Sequence, residues 1–145
     1  MMYESSCPED TQHFAAKLAA KSKAGNIFCL CGNLGAGKTA FSQGFVQGLG
    51  YTGYVSSPTF TLMQIYEGGR LPVYHFDLYR LMEDVNADTL EEIGFFEYLD
   101  ADGVCLIEWA DCAREYMPDS AIWVDIGRVE NGSDENKRKI HIRGL

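Results

Sequence analysis

Apolar positions along this chain fall into short runs set apart by glycine, proline and polar clusters, and the period within each run changes from segment to segment. Between Pro8 and Lys21, Phe14, Leu18 and several alanines recur at helical spacing, and Ser6-Cys7-Pro8-Glu9 reads as a capping box with proline in the first turn. Lys23-Ala24-Gly25-Asn26 ends that helix, and the unbroken run Ile27-Phe28-Cys29-Leu30-Cys31 predicts a buried strand. Helical spacing returns from Lys38 to Leu49 through Phe41, Phe45, Val46 and Leu49, with Gly50 as a stop. After a polar connection at Tyr51 to Tyr54, Thr59 to Tyr66 is rich in β-branched and aromatic residues and predicts a strand. Gly68-Gly69 then predicts a hairpin into a second strand, Leu71 to Phe76, and strands joined so closely run antiparallel.

The pattern continues with a helical or irregular segment carrying Leu90, Ile93, Phe96 and Leu99, followed by an apolar strand, Val104 to Ile107, that ends at Glu108. Ile122, Val124 and Ile126 alternate with other residues as in a strand with one exposed face, Asn131-Gly132-Ser133-Asp134 predicts a turn, and Lys139 to Arg143 predicts a last strand. With 145 residues, 46% of them hydrophobic, the chain is expected to form a single domain over residues 1–145 around one core.

Between the first predicted strand and the second helix lies Gly32-Asn33-Leu34-Gly35-Ala36-Gly37-Lys38-Thr39, which meets every fixed position of the phosphate-binding pattern G-x-x-x-x-G-K-[ST]. Glycines let the backbone turn its N–H groups around a polyphosphate, Lys38 can reach the β and γ phosphates, and the Thr39 hydroxyl can ligate Mg²⁺. Strand, glycine loop and helix together aim a helix N-terminus at an anion. The predicted architecture is therefore α/β: a P-loop NTPase-like domain with a mixed parallel and antiparallel central sheet flanked by helices.

A magnesium ion beside these phosphates needs carboxylate oxygens, usually at the end of a neighbouring apolar strand, and Asp77 and Glu108 both occupy such ends. One of them would orient the metal and the other would position or deprotonate an attacking water; the residues leave open which does which. Ser57-Pro58-Thr59-Phe60-Thr61 sets hydroxyls around a stiff proline, either as a segment that senses the γ-phosphate or as an ordinary turn. His75, inside an apolar strand, reads as a hydrogen-bonded structural residue, and Trp109 as either core or an exposed contact.

Charge and cysteine content narrow the function classes. Twelve basic against 21 acidic side chains leave a net charge of −9, which opposes direct, tight binding to RNA or DNA because such affinity comes from clustered Lys and Arg. Cys7, Cys29, Cys31, Cys105 and Cys112 are odd in number and lack paired CxxC spacing, so structural thiols are expected. With neither a leader nor a membrane-length apolar stretch evident, the expected location is the cytoplasm. No N-K-x-D element for reading guanine and no arginine-rich lid are evident, which favours adenine and hydrolysis over phosphoryl transfer to a metabolite.

GNLGAGKT, SPTFTL, HFDLYRL and LIEWAD, in that order and at these separations, closely resemble the TsaE (YjeE) family of bacterial ATPases that support threonylcarbamoyladenosine formation in tRNA, and the likeness runs over nearly the whole chain. The resemblance implies a cytoplasmic Mg²⁺-dependent ATPase of weak intrinsic turnover that works with TsaB and TsaD and reaches tRNA only through that complex. It implies further that Asn33 to Thr39 hold the ATP phosphates, that Lys38, Asp77 and Glu108 act in catalysis, and that Thr39 and Glu108 stand at the magnesium with Asp77 next to the reaction centre. Ser57 to Thr61 and His75 to Leu81 would match two switch segments, and Thr11 and Arg138 would line the nucleotide pocket. Two positions depart from the family's pattern: Asn33 where an aspartate is common, and Ala110 where a proline follows the tryptophan. A small-molecule phosphotransferase and a nucleotide-dependent binding switch are the alternative readings.

Overall fold

A computed structural model describes residues 1–33, 37–129 and 137–145. Among these the elements are β1 (Met2–Ser5), α1 (Pro8–Lys21), β2 (Ile27–Cys31), α2 (Lys38–Gly48), β3 (Met63–Tyr66), β4 (Val73–Asp77), α3 (Ala87–Glu92), α4 (Phe95–Leu99), β5 (Val104–Glu108), β6 (Ile122–Arg128) and β7 (Arg138–Arg143). Short 3-10 turns follow β4 at Tyr79–Leu81 and β5 at Ala110–Tyr116. The strands form one seven-stranded mixed sheet in the order β1-β7-β6-β2-β5-β4-β3. Its four central members, β6, β2, β5 and β4, run parallel, and antiparallel neighbours flank them: β3 beside β4, and β7 and β1 beyond β6. The α/β class with a mixed sheet, read from the changing periods, is the class observed.

β2 and β5 are buried at all five positions because helices cover both faces of the sheet, as parallel strands require. Side chains alternate across it. Phe28 and Leu30 of β2, with Val104 and Leu106 of β5, join Phe41, Phe45 and Val46 of α2 and Ala15, Leu18 and Ala19 of α1 in one core. Ile27, Cys29 and Cys31, with Cys105 and Ile107, face the other way and pack with Phe76, Leu90 and Phe95. On the first face α1 and α2 lie nearly backbone to backbone: a Cβ on Gly44 would stand 2.2 Å from the Gln12 carbonyl oxygen, and one on Gly48 2.7 Å from the Ala16 Cα.

Several boundaries differ from the periodic reading. β1 was not anticipated; four residues with no alternation of their own are drawn to the sheet edge by antiparallel pairing with β7, Met2 opposite His141 and Ser5 opposite Arg138. That pairing changes the start of α1. Instead of a capping box, the helix has Cys7 at its N-cap with no side-chain cap; the Ser6 amide donates to Asp10 Oδ2 at 3.0 Å and Ser5 Oγ to the Cys7 carbonyl at 2.8 Å. The strand expected over Thr59 to Tyr66 begins only at Met63, because Leu62 is left-handed (φ 69°) and its amide donates to the Pro58 carbonyl at 2.8 Å, closing a turn. Its partner spans Val73–Asp77 rather than Leu71 to Phe76, since Pro72 has no N–H to continue the ladder. The segment with Leu90 and Phe96 resolves into α3, opened by a true capping box between Asn86 and Thr89, and α4, separated from it at Gly94 (φ 77°). The turn expected at 131–134 lies outside the described residues.

All five cysteines are free. Burial pushes the thiols of Cys29, Cys31 and Cys105 up to about 12, so at neutral pH they are protonated packing groups. Among the described residues no helix is long and apolar enough to cross a membrane.

Candidate functional site

The site lies where the parallel strands end, the place at which an open α/β sheet leaves a crevice. β2 hands the chain to Gly32 and Asn33; Leu34, Gly35 and Ala36, all expected to bind phosphate, lie outside the described residues. The chain is described again at Gly37, the N-cap of α2, whose φ of 109° is open to glycine and costly for any other residue. The φ alone sets this preference, since a Cβ there would make only ordinary contacts, with Ile126 Cγ2 at 3.6 Å and Arg138 Cγ at 3.8 Å. Arg138, from the first position of β7, is thereby brought over the start of α2.

Lys38, the first residue of α2, is 6% exposed. Its Nζ donates to the carbonyls of Gly32 and of Asn33, the latter at 3.1 Å, and stands 4.0 Å from the centroid of the Trp109 ring. Burial lowers its pKa, and the nearby carboxylates of Glu108 and Asp77 act in the opposite direction. Trp109, left open between core and contact, is half-buried: its ring is shared between Lys38 and Tyr79, whose centroid is 5.0 Å away, and its own backbone is left-handed at φ 59°.

Asp77 and Glu108 are direct partners in the parallel register of β4 and β5, so two strand ends distant in sequence present adjacent carboxylates, each 2% exposed. Their partners differ. Asp77 Oδ2 accepts from Ser57 Oγ at 2.7 Å and Thr59 Oγ1 at 2.9 Å, while Oδ1 accepts from the Tyr79 amide at 3.0 Å. Arg80 adds a second tether to the same segment, donating from Nη1 to the Phe60 carbonyl at 3.0 Å. Glu108 Oε2 lies 2.6 Å from Nε2 of His75, which is fully buried, so the reading of His75 as a hydrogen-bonded residue agrees with its place.

These groups enclose a cleft of about 380 Å³, within the roughly 300–1,000 Å³ typical of small-molecule sites. Gly37, Lys38 and Thr39 from the start of α2 line it together with Ser57 and Thr59, the strand-end carboxylates Asp77 and Glu108, and Tyr79, Trp109, Arg138 and Pro8. Thr39 is exposed, its hydroxyl-bearing side chain lining the cleft. Among the described residues no cluster of three or more His, Cys, Asp or Glu side chains is built to hold a metal alone. A hydroxyl and two carboxylates at the start of α2 nevertheless have the hard oxygen donors that suit Mg²⁺, a cation that draws most of its ligands from water and bound phosphates.

Thr11 is not brought into the cleft. It is 1% exposed, and its Oγ1 pairs with Ser5 Oγ at 2.7 Å. Since the Ser5 hydroxyl already donates to Cys7, Thr11 is the donor of that pair, and its role here is to fix the β1–α1 corner. Tyr79 and Pro8 are lining residues that periodicity gave no reason to select: one follows Asp77 by two positions, and the other reads only as a helix-opening proline.

The family described as "Threonylcarbamoyl adenosine biosynthesis protein TsaE" matches residues 5–140. The tRNA threonylcarbamoyladenosine biosynthesis protein TsaE of Bacillus subtilis is 45% identical over 130 residues, covering 90% of this chain and 78% of that protein. The protein of the same name from Treponema pallidum is 34% identical over 127 residues, covering 88% and 91% respectively. The crystal structure of Bacillus subtilis YdiB superposes with a TM-score of 0.79 over 97% of this chain and 82% of that one, at 38% identity. By sequence over most of its length and by fold, the chain belongs to the TsaE family of tRNA threonylcarbamoyladenosine biosynthesis proteins.

Proposed function

We propose that this chain is a P-loop NTPase-like, Mg²⁺-dependent ATPase of weak intrinsic turnover. It supports formation of the threonylcarbamoyl group on the adenosine beside the tRNA anticodon, acting in the cytoplasm with TsaB and TsaD. The observation that carries the reading is the convergence of Lys38 and Thr39, at the start of α2, with the strand-end pair Asp77 and Glu108 on one cleft. Lys38 and the amides at the α2 N-terminus are suited to receive the β and γ phosphates, and Arg138 adds positive charge to the lining. Thr39 and Glu108 would hold the ion. Bound Mg²⁺ would neutralise charge developing on the phosphate oxygens.

Asp77 spends its oxygens on Ser57, Thr59 and Tyr79, so its role in this arrangement is to hold the 57–61 segment beside the phosphates. A group so engaged orients an attacking water through the hydroxyls it fixes more readily than it removes a proton itself. Such a tether is also what a nucleotide-dependent binding switch requires, which makes that the second reading: ATP would order the segment and hydrolysis release it. With a net charge of −9, this chain would reach tRNA through its partners.

Calorimetry of the folded chain with ATP and Mg²⁺, alone and with TsaB and TsaD, tests the reading at its root, and no uptake in either case would overturn it. Glu108→Gln separates the two versions. If assembly with the partners survives while support of modification is lost, hydrolysis is required; if both survive, the chain is a binding switch.

A further inference from the structure

We infer that His75 is a positioning residue for Glu108: it takes one carboxylate oxygen for itself and so assigns the other to the ion-binding side of the cleft. The inference rests on the functional reading above and adds a residue to its machinery. His75 is the middle residue of β4 and Glu108 the last of β5, and they meet through Nε2 and Oε2 at 2.6 Å. In the strand register His75 lies opposite Leu106, so the contact is a diagonal one on the α2-facing side of the sheet. Both residues are almost wholly enclosed, at 0% and 2% exposure.

The other ring nitrogen, Nδ1, is buried without a hydrogen-bond partner. A proton on Nδ1 would be a buried donor with nothing to receive it, whereas the tautomer with its proton on Nε2 leaves only a bare acceptor there, the smaller cost. The contact is therefore Nε2–H donating to a carboxylate. The ring is wholly enclosed, with the tilted ring of Tyr66 beside it at 6.0 Å between centroids, so no solvent competes for its Nε2. Glu108 is correspondingly limited: with Oε2 committed, Oε1 is the oxygen it can offer the cleft that it lines. A residue needed only to fill the sheet at this position would have been apolar, like Val73 on the same face of β4 and Leu106 opposite it. Histidine here leaves one polar atom unmatched in order to orient a carboxylate, the relation that groups behind a metal ligand bear to it.

Two substitutions separate orientation from packing. In His75→Gln the side-chain amide can still donate toward Oε2; in His75→Leu the volume is kept and the donor lost. With the wild-type chain and its partners, the Mg²⁺ concentration giving half-maximal ATPase activity, and Mn²⁺ binding followed by paramagnetic resonance in the presence of ATP, should both shift upward about tenfold or more for His75→Leu. His75→Gln should restore most of that loss, while the affinity for ATP measured at saturating Mg²⁺ changes little in either. Equal metal requirements in a folded His75→Leu chain, or equal losses in both variants, would overturn the inference. A nitrogen-15 spectrum of the wild-type imidazole supplies a test that needs neither variant nor nucleotide: a slowly exchanging proton on Nε2 and a bare Nδ1 are expected, and a proton on Nδ1 alone would refute the assignment. If the wild-type chain takes up no ATP–Mg²⁺, the functional reading fails by itself and this spectrum still decides whether His75 holds Glu108.

Discussion

Removing the two hydroxyls that Asp77 holds should loosen the 57–61 segment without unfolding the domain. Ser57 Oγ and Thr59 Oγ1 both donate to Asp77 Oδ2, at 2.7 and 2.9 Å, and the carboxylate is 2% exposed. A hydrogen bond to a charged group contributes about 1.5–3 kcal/mol net. Since about 1.4 kcal/mol corresponds to a factor of ten, each of Ser57→Ala and Thr59→Ala should raise the local opening constant about ten- to a hundredfold, and the double variant about a hundredfold or more. The reporter is the Leu62 amide, which donates to the Pro58 carbonyl at 2.8 Å and closes the turn that carries both hydroxyls. Its hydrogen exchange should accelerate by those factors. Exchange at Cys105, whose amide is bonded to the Asn26 carbonyl at 3.0 Å in the sheet core, should hardly change. The residual contacts of the segment, Arg80 to the Phe60 carbonyl and Tyr66 Oη to the Ser56 carbonyl, set a floor beneath which protection should not fall. Unchanged exchange at Leu62 in the double variant would show that Asp77 does not hold this segment. Equal acceleration at Leu62 and Cys105 would show that the hydroxyls stabilise the whole domain instead.

Three further outcomes follow from the packing and the charges. Gly44→Ala should destabilise the fold by about 1–3 kcal/mol in urea unfolding, because its Cβ would be forced to within 2.2 Å of the Gln12 carbonyl oxygen; a gain in stability from the better helix former would contradict the close α1–α2 approach. Lys38→Met should abolish ATP uptake in calorimetry without lowering the urea midpoint, since burial already lowers the lysine's pKa and the charge is a burden on the folded state; a large drop in the midpoint would contradict it. Alkaline unfolding should begin near the ordinary thiol pKa of 9.0: the unfolded thiols ionise there while those of Cys29, Cys31 and Cys105 hold their protons to about 12, so the native chain binds more protons and loses stability as pH rises through that window. Replacing Cys29 and Cys105 together by alanine should flatten that dependence in chemical unfolding measured from pH 8 to 11, and an unchanged slope would refute the cause.

Local chemistry accounts for what could be read without a fold. The continuous apolar runs of β2 and β5 follow from burial on both faces, the periodic run through Phe41 and Phe45 from a helix with one buried face, and the glycine before Lys38 from the positive φ at the α2 N-cap. Each of these signals lies within a dozen residues, so nothing distant was needed to recognise it. Asp77 and Glu108 could be named as strand ends for the same reason. That they are register partners, that one is spent on Ser57 and Thr59 and the other on His75, and that Arg138 is brought over Gly37 while Thr11 is kept out of the cleft were decided by how strands, helix and connections come together in space. β1 shows the same limit: its four residues carry no alternation of their own, and only pairing with β7, from the far end of the chain, makes them a strand. Periodicity records which way each residue faces; which residue it then meets depends on the three-dimensional arrangement of strands, and that is the physical reason the partners had to wait for the tertiary structure.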